Sequence, residues 1–183
     1  MEFYKQIKLK NGDILTLRNA IEEDCAEFTE FTNKLFKETN FFTRGVGDPD
    51  VTEEMQFNYI TKHKEANNAL LLVAILNNKI VGHAHIDMKS SKIKLRHRSE
   101  FGIGILMDYW GKGIGKILTN EIIEFAKQCK YEQIELVVVN SNERAIKLYE
   151  IFGFKKFGTF INSFKYPDGT YDDGIYMIKF LKD

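Results

Sequence analysis

Glu100-Phe101-Gly102-Ile103-Gly104-Ile105-Leu106-Met107-Asp108-Tyr109-Trp110-Gly111-Lys112-Gly113-Ile114-Gly115-Lys116 is the stretch on which the reading of this chain turns. In its first half the large apolar residues Phe101, Ile103, Ile105 and Met107 alternate with Glu100, Gly102, Gly104 and Leu106, the period of a strand. One face of that strand is nearly bare. Glycine weakens a strand, so two on one face imply that a ligand or another backbone approaches closely, or that the strand bulges or packs tightly on a helix. In the second half, glycines lead into a helix whose inward face is Ile114, Leu118, Ile122 and Phe125. Unpaired N–H groups and the positive end of the helix dipole meet at such a start, and Lys112 and Lys116 add charge, so a pyrophosphate is the natural occupant. The segment lacks P-loop spacing, and Lys116 stands where a dinucleotide-binding turn needs Gly or Ala, which lowers ATP and NAD in rank.

Working outward, Ile14 to Arg18 reads as a first strand after the turn Asn11-Gly12-Asp13, and Cys25 to Phe36 as a helix with Phe28, Phe31, Thr32 and Leu35 inward. Phe41 to Pro49 is a loop into a second helix starting near Asp50, with Glu53 completing a capping arrangement. Ala69 to Leu76 and Ile80 to Ile86 flank Asn77-Asn78-Lys79 as a hairpin. Next come a strand from His97 to Met107, a helix from Gly113 to Lys130 and a strand from Ile134 to Val139. A helix from Asn142 to Phe152 and strands from Phe154 to Phe160 and Ile175 to Phe180 complete the order, with Tyr166-Pro167-Asp168-Gly169 as a turn. An antiparallel meander that switches to alternating strand and helix predicts an α/β (α+β) fold: one domain over residues 1–183, with a mixed, mostly antiparallel seven-stranded sheet flanked by helices.

The bulk numbers allow this. The chain has 183 residues, 44% hydrophobic, and its 26 basic residues balance 26 acidic ones. That balance argues against nucleic acid as the main partner without excluding phosphate at one point. Cys25 and Cys129 lie far apart in no CxxC or Cys/His cluster, so no metal site is expected. Met1 to Lys5 lacks the apolar core of a signal peptide, and the longest apolar run, Ala69 to Leu76, is too short to cross a bilayer, so no membrane association and a cytoplasmic location are expected.

Downstream stands a second motif, Asn142-Glu143-Arg144-Ala145-Ile146-Lys147-Leu148-Tyr149-Glu150-Ile151-Phe152-Gly153-Phe154. Together the two motifs resemble the GNAT superfamily of N-acetyltransferases. The first is similar to its Q/R-x-x-G-x-G/A signature and the second to its N-x-x-A-x-x-L-Y-x-x-x-G-F segment, and Arg98 to Lys116 looks most like the polyamine and ribosomal-protein acetyltransferase branch. The resemblance implies acetyl-CoA as co-substrate between two splayed strands, backbone groups of Ile105, Leu106 and Met107 on its pantetheine arm, and the amides of Gly111, Lys112, Gly113, Ile114, Gly115 and Lys116 on its pyrophosphate. It implies that the Asn142 side chain contacts the cofactor and that Tyr149 protonates the departing thiolate. Trp110 departs from the family's Gln or Arg, which puts one side-chain contact in doubt. The implied activity is acetyl transfer to a primary amine, on a small molecule, polyamine or protein N-terminus; the alternative is a non-catalytic acyl-CoA sensor. A homodimer is open for the family, with no interface readable in the sequence.

An alkyl ammonium has a pKa of about 10.4, so the enzyme needs a base or a proton path. Glu100, on the glycine face, is the first choice if burial raises its pKa; the other reading is a strand-end ion pair with Arg96, Arg98 or a nearby lysine. His83 and His85 share one strand face and are rivals to Glu100, or else packing residues. An amide near Ile105 or Leu106 is the expected oxyanion donor. Phe36 to Asp50 and Asn162 to Gly174, with Phe41, Phe42, Phe164, Tyr166 and Tyr171, are the expected specificity loops.

Overall fold

A computed structural model describes residues 2–181. Its strands are β1 Tyr4–Lys8, β2 Ile14–Asn19, β3 Leu70–Leu76, β4 Lys79–Met88, β5 Arg98–Ile105, β6 Gln133–Val139, β7 Lys155–Lys165 and β8 Tyr171–Phe180. Four helices, α1 Cys25–Glu38, α2 Glu53–Glu65, α3 Ile114–Gln128 and α4 Glu143–Ile151, connect them. The strands form one eight-stranded sheet in the order β1-β2-β3-β4-β5-β6-β8-β7, antiparallel throughout except where β5 meets β6. The expected count of seven is thus one short. The strand missed is β1, an exposed edge whose Tyr-Lys-Gln-Ile-Lys buries no residue and so carries no alternation to read.

The β3–β4 hairpin forms as the sequence predicts. Asn77 and Asn78 both take positive φ, +51° and +58°, the backbone a two-residue type I′ connection requires and one that asparagine tolerates. The second helix starts later than expected: Thr52, not Asp50, is its N-cap, accepting a hydrogen bond from the Met55 amide. Asp50 instead pairs with Lys37. The segment 162–174 is not a loop but largely strand, with β7 running to Lys165 and β8 starting at Tyr171.

Helices cover both sheet faces. On one, α3 packs Ile114, Leu118, Ile122 and Phe125 onto Leu72, Ala84, Ile86 and Phe101, in the larger of two apolar clusters. On the other, α1 packs Phe28, Phe31 and Leu35 with Ile60 of α2 against Leu71 and Val73. Pleating sends alternate residues of β4 and β5 to opposite layers, so His83 and His85 fall on the α1/α2 side while Ile103 and Ile105 join the α3 side.

Candidate active site

The parallel ladder between β5 and β6 is short. Only Arg98, Ser99 and Glu100 pair with β6, opposite Gln133, Ile134 and Glu135, although β5 continues to Ile105 and β6 to Val139. Beyond those pairs the two strands part, and a cavity of about 1680 Å³ opens that has both strands and the start of α3 in its lining. At the closed end Arg98 holds Glu135 through two hydrogen bonds. Burial pushes the Glu135 carboxyl up, but the bonds from Arg98 and Gln133 prevail and hold it below the usual range.

Alternation decides which backbone groups of β5 face this gap. The Leu106 amide donates to Val81 and the Arg98 carbonyl accepts from Lys89, so the even-numbered residues 98–106 bond to β4 and the odd ones turn toward β6. The Leu106 amide is therefore spoken for as pantetheine partner or oxyanion donor. Met107 donates to the Glu38 carboxylate, and the Ile105 carbonyl accepts from the Trp110 indole at 2.7 Å. The amides of Ile103 and Ile105 are the ones that strand geometry directs into the gap.

The glycine turn departs from the helix axis in left-handed backbone, with φ of +79° at Gly111 and +87° at Gly113, conformations that L side chains rarely adopt. Among the described residues, none of the six amides from Gly111 to Lys116 donates to an acceptor of the chain. Six orphan donors at a helix start are an anion cradle. Gly115 brings the first turn of α3 against its neighbours: a Cβ there would lie 3.2 Å from Leu148 and 3.4 Å from Ile105. The cavity is lined by seven Lys and Arg residues, Lys112, Lys116 and Arg144 among them, and among the described residues by one carboxylate, Glu100. A chain with no net charge has gathered positive charge at one place. Trp110, which stands where the family signature has Gln or Arg, is fixed by its bond to Ile105 and carries the Arg144 guanidinium 5.0 Å from its ring centroid.

The bare face of β5 is filled by side chains. His85 lies over Gly102, where a Cβ would come within 2.2 Å of Cε1, and Leu35 and His83 cover Gly104 at 2.4 Å and 3.2 Å. A neighbouring strand and a helix thus claim the space that the sequence left open between ligand, backbone and tight packing. Both imidazoles line the cavity, stacked at 6.1 Å, and their buried Nδ1 atoms have no hydrogen-bond partner. Burial lowers the pKa of His83 to about 3 and that of His85 to about 4, so both are neutral near pH 7 and poor proton acceptors from an ammonium group. Beside them, Asp87 bonds His63 at 3.2 Å and Lys62 at 2.9 Å.

Glu100 lies on the glycine face and lines the cavity, but its side chain is 48% exposed and ion-paired with Lys89 at 2.9 Å. The lysine pair, one of the two readings of this residue, is what forms. Tyr149 is 7% exposed, packs edge-on against Phe101, lines the cavity and has no hydrogen-bond partner for its hydroxyl among the described residues. Burial raises its pKa, which keeps the phenol protonated. Asn142 lines the cavity and caps α4 by accepting from the Ala145 amide through Oδ1. Phe41, Phe42 and Phe164 reach the cavity; Tyr166 and Tyr171 do not. Cys25 and Cys129 are half-buried and lie outside it.

Sequence reading passed over Gln56, Tyr59 and Arg144, all in the cavity wall. Gln56, Ile60 and His63 are the buried residues of α2, a stripe at helical spacing whose two polar members hid it from a hydrophobic pattern. No helix among the described residues is long and apolar enough to cross a membrane.

Comparison with known proteins places this geometry. The model of the acetyltransferase (GNAT) family matches residues 29–154. An L-amino acid N-acetyltransferase of Escherichia coli, AaaT, is 32% identical over 109 residues, 59% of this chain and 66% of the relative. The chain thus matches just under two thirds of that relative's length. An N-alpha-acetyltransferase of Saccharolobus solfataricus is 29% identical over 171 residues, 89% of each chain. Among solved structures, a GNAT-family acetyltransferase from Streptococcus pneumoniae superposes with a TM-score of 0.86 at 29% identity, over 91% of this chain and 99% of that one.

Proposed function

This chain belongs to the acetyltransferase (GNAT) family, and from that premise we propose that it acts as one N-acetyltransferase domain, moving an acetyl group from acetyl-CoA directly to a primary amine on a small molecule or a protein N-terminus. The observation that carries the reading is the run of six unpaired amides opening α3 beside the gap between β5 and β6. The residues present fit the co-substrate: orphan donors and lysines suit a pyrophosphate, and the outward amides of Ile103 and Ile105 suit an amide-bearing arm. When bound, acetyl-CoA supplies the acetyl group as a thioester.

In this proposal the amides of Gly111 to Lys116 hold the pyrophosphate and the free amide of Asn142 contacts the co-substrate. Backbone groups of the Ile105–Met107 stretch flank the pantetheine arm, to which Ile103 gives its outward amide, while Ile105 keeps its own amide for the acetyl carbonyl. That amide stabilises the negative charge that develops on the acetyl oxygen. Glu100, the one carboxylate lining the cavity among the described residues, takes the proton from the amine through water, with the Lys89 ammonium 2.9 Å away holding its side chain in place. Tyr149, protonated and unpartnered, gives a proton to the thiolate. Half-buried thiols whose pKa values burial raises do not suit Cys25 or Cys129 for a covalent step. Free thiols fit a reducing compartment, so the proposed site of action is the cytoplasm.

The test is calorimetric titration with acetyl-CoA, CoA, ATP and NADH, then thiol release over a panel of amines. Binding restricted to the CoA compounds with release on an amine is expected. Binding without release identifies a sensor, and no CoA binding overturns the assignment.

A further inference from the structure

The acceptor end of the cavity is unlike its phosphate end. Its walls are aromatic: Phe28, Phe36, Phe42 and Tyr59 line it, with Phe36 and Phe42 at 5.4 Å and Phe28 edge-on to His83 at 5.5 Å. Three residues of this lining carry buried nitrogens that nothing in the chain satisfies: Gln56 Nε2, His83 Nδ1 and His85 Nδ1. Gln56 is only 3% exposed. A buried amide without a partner is costly, and natural structures keep few such groups. With Ser163 Oγ as a fourth such atom in the same lining, these three mark a place where a ligand completes the bonding.

Charge narrows the class of ligand. A polyamine carries a second ammonium that must lie beyond the reacting one, and burying it requires a carboxylate. Among the described residues the cavity offers Glu100 alone, already paired with Lys89, while the nearby Asp87 is engaged by His63 and Lys62. Both imidazoles are neutral and bring no charge of either sign.

We infer that this end of the cavity is built for a monoamine with an aromatic or large apolar body and one uncharged hydrogen-bonding group, a carbonyl or hydroxyl, read by Gln56, His83 and His85. The inference rests on the proposed acetyl transfer only for the amine itself. Aromatic body and aromatic wall exclude water together, and the hydrogen-bonding group occupies the unmet valences of the amide and the imidazoles. A site whose polar groups need a partner rejects the analogue that lacks one far more strongly than an apolar pocket rejects an extra group.

The experiment is calorimetric titration of the CoA-saturated protein with 2-phenylethylamine, tyramine, phenylalaninamide and spermidine. The aromatic amines bind, and tyramine or phenylalaninamide does so about tenfold or more tightly than 2-phenylethylamine. Gln56→Leu, of similar volume, brings the tighter ligand to within about threefold of 2-phenylethylamine, whose own affinity changes little, because only the hydrogen-bonding arm is lost. His83→Leu gives a second reading of the same difference should Gln56→Leu not fold. Spermidine binding as tightly as the aromatic amines overturns the inference, as does failure of every aromatic amine to bind, or an equal loss for all ligands in both variants. Because the readout is binding, a chain that takes up aromatic monoamines and releases no thiol refutes the acetyl transfer and leaves this inference standing.

Discussion

Replacing Gly113 by alanine isolates the backbone's part in co-substrate binding. A Cβ at this position meets nothing within 4 Å, so the cost is purely conformational: φ is +87°, and left-handed backbone costs an L residue about 1–2 kcal/mol. The variant has two ways to bear it. If the loop keeps its shape, the fold loses that amount, about 2–8 °C in Tm for a chain of this size. If the loop relaxes, the amides of residues 111–116 no longer converge, and the strain is borne on binding instead, as a loss of about 5–30-fold in acetyl-CoA affinity. The two losses, expressed as free energies, therefore sum to about 1–2 kcal/mol. Gly169 is the control, with φ of +86° and equally open space, but in the turn between β7 and β8. Gly169→Ala loses stability only. Scanning calorimetry and CoA titration of both variants check this. Equal affinity loss in the two, or no change of either kind in Gly113→Ala, refutes the idea that strained glycines aim the amides.

Tyr149→Phe lowers kcat for thiol release about 100-fold or more while leaving acetyl-CoA affinity within about twofold, since the lost proton matters only in the transition state; steady-state kinetics decide. Gly102→Ala drives a methyl into His85, which Tyr59, His63 and His83 hem in, and costs about 1–3 kcal/mol by urea unfolding. Neutral His83 and His85 make the fold sensitive to acid. Their folded pKa values, about 3 and about 4, lie below the unfolded value of 6.5, so their contribution is whole above 6.5 and declines as pH falls toward 4. Urea unfolding between pH 4.5 and 7.5 shows the decline, and His83→Leu flattens it; His63, Lys62, Asp87 and Glu100 are the charged and titratable groups that act on the two imidazoles.

What the sequence discloses depends on whether a residue's task is local. The Asn77-Asn78 turn and the glycine helix start are legible because the conformation they need is written in the residues themselves. The facing of His83 and His85 toward the Gly102 and Gly104 face follows from strand alternation once the two strands are known to pair. β1 was invisible because an exposed edge strand leaves no apolar trace. β7 outran its expected end at Phe160 because a bulge and the left-handed Asn162 carry it on to Lys165 with little burial to show for it. Gln56 and the Trp110–Arg144 stack are products of tertiary packing, and no periodicity announces a polar residue whose partner lies across the fold. The same holds for Leu106: its amide belongs to Val81 through the register of β4 and β5, a fact that residue identity does not encode.

The short ladder between β5 and β6 makes the molecule two half-sheets riveted at one end by Arg98 and Glu135. Each half presents an internal edge, the kind of surface that elsewhere invites another strand. In the proposed function the co-substrate's amide-bearing arm serves as the missing strand, which makes the sheet continuous only in the complex. Deuterium uptake makes this visible: without ligand the amides of Ile103 and Ile105 exchange far faster than those of Gly102 and Gly104, which are tied to β4, and occupancy of the gap erases the difference. On that proposal the binding step is also the last step of sheet assembly, and the same event that delivers the acetyl group stiffens the platform on which it is handed over.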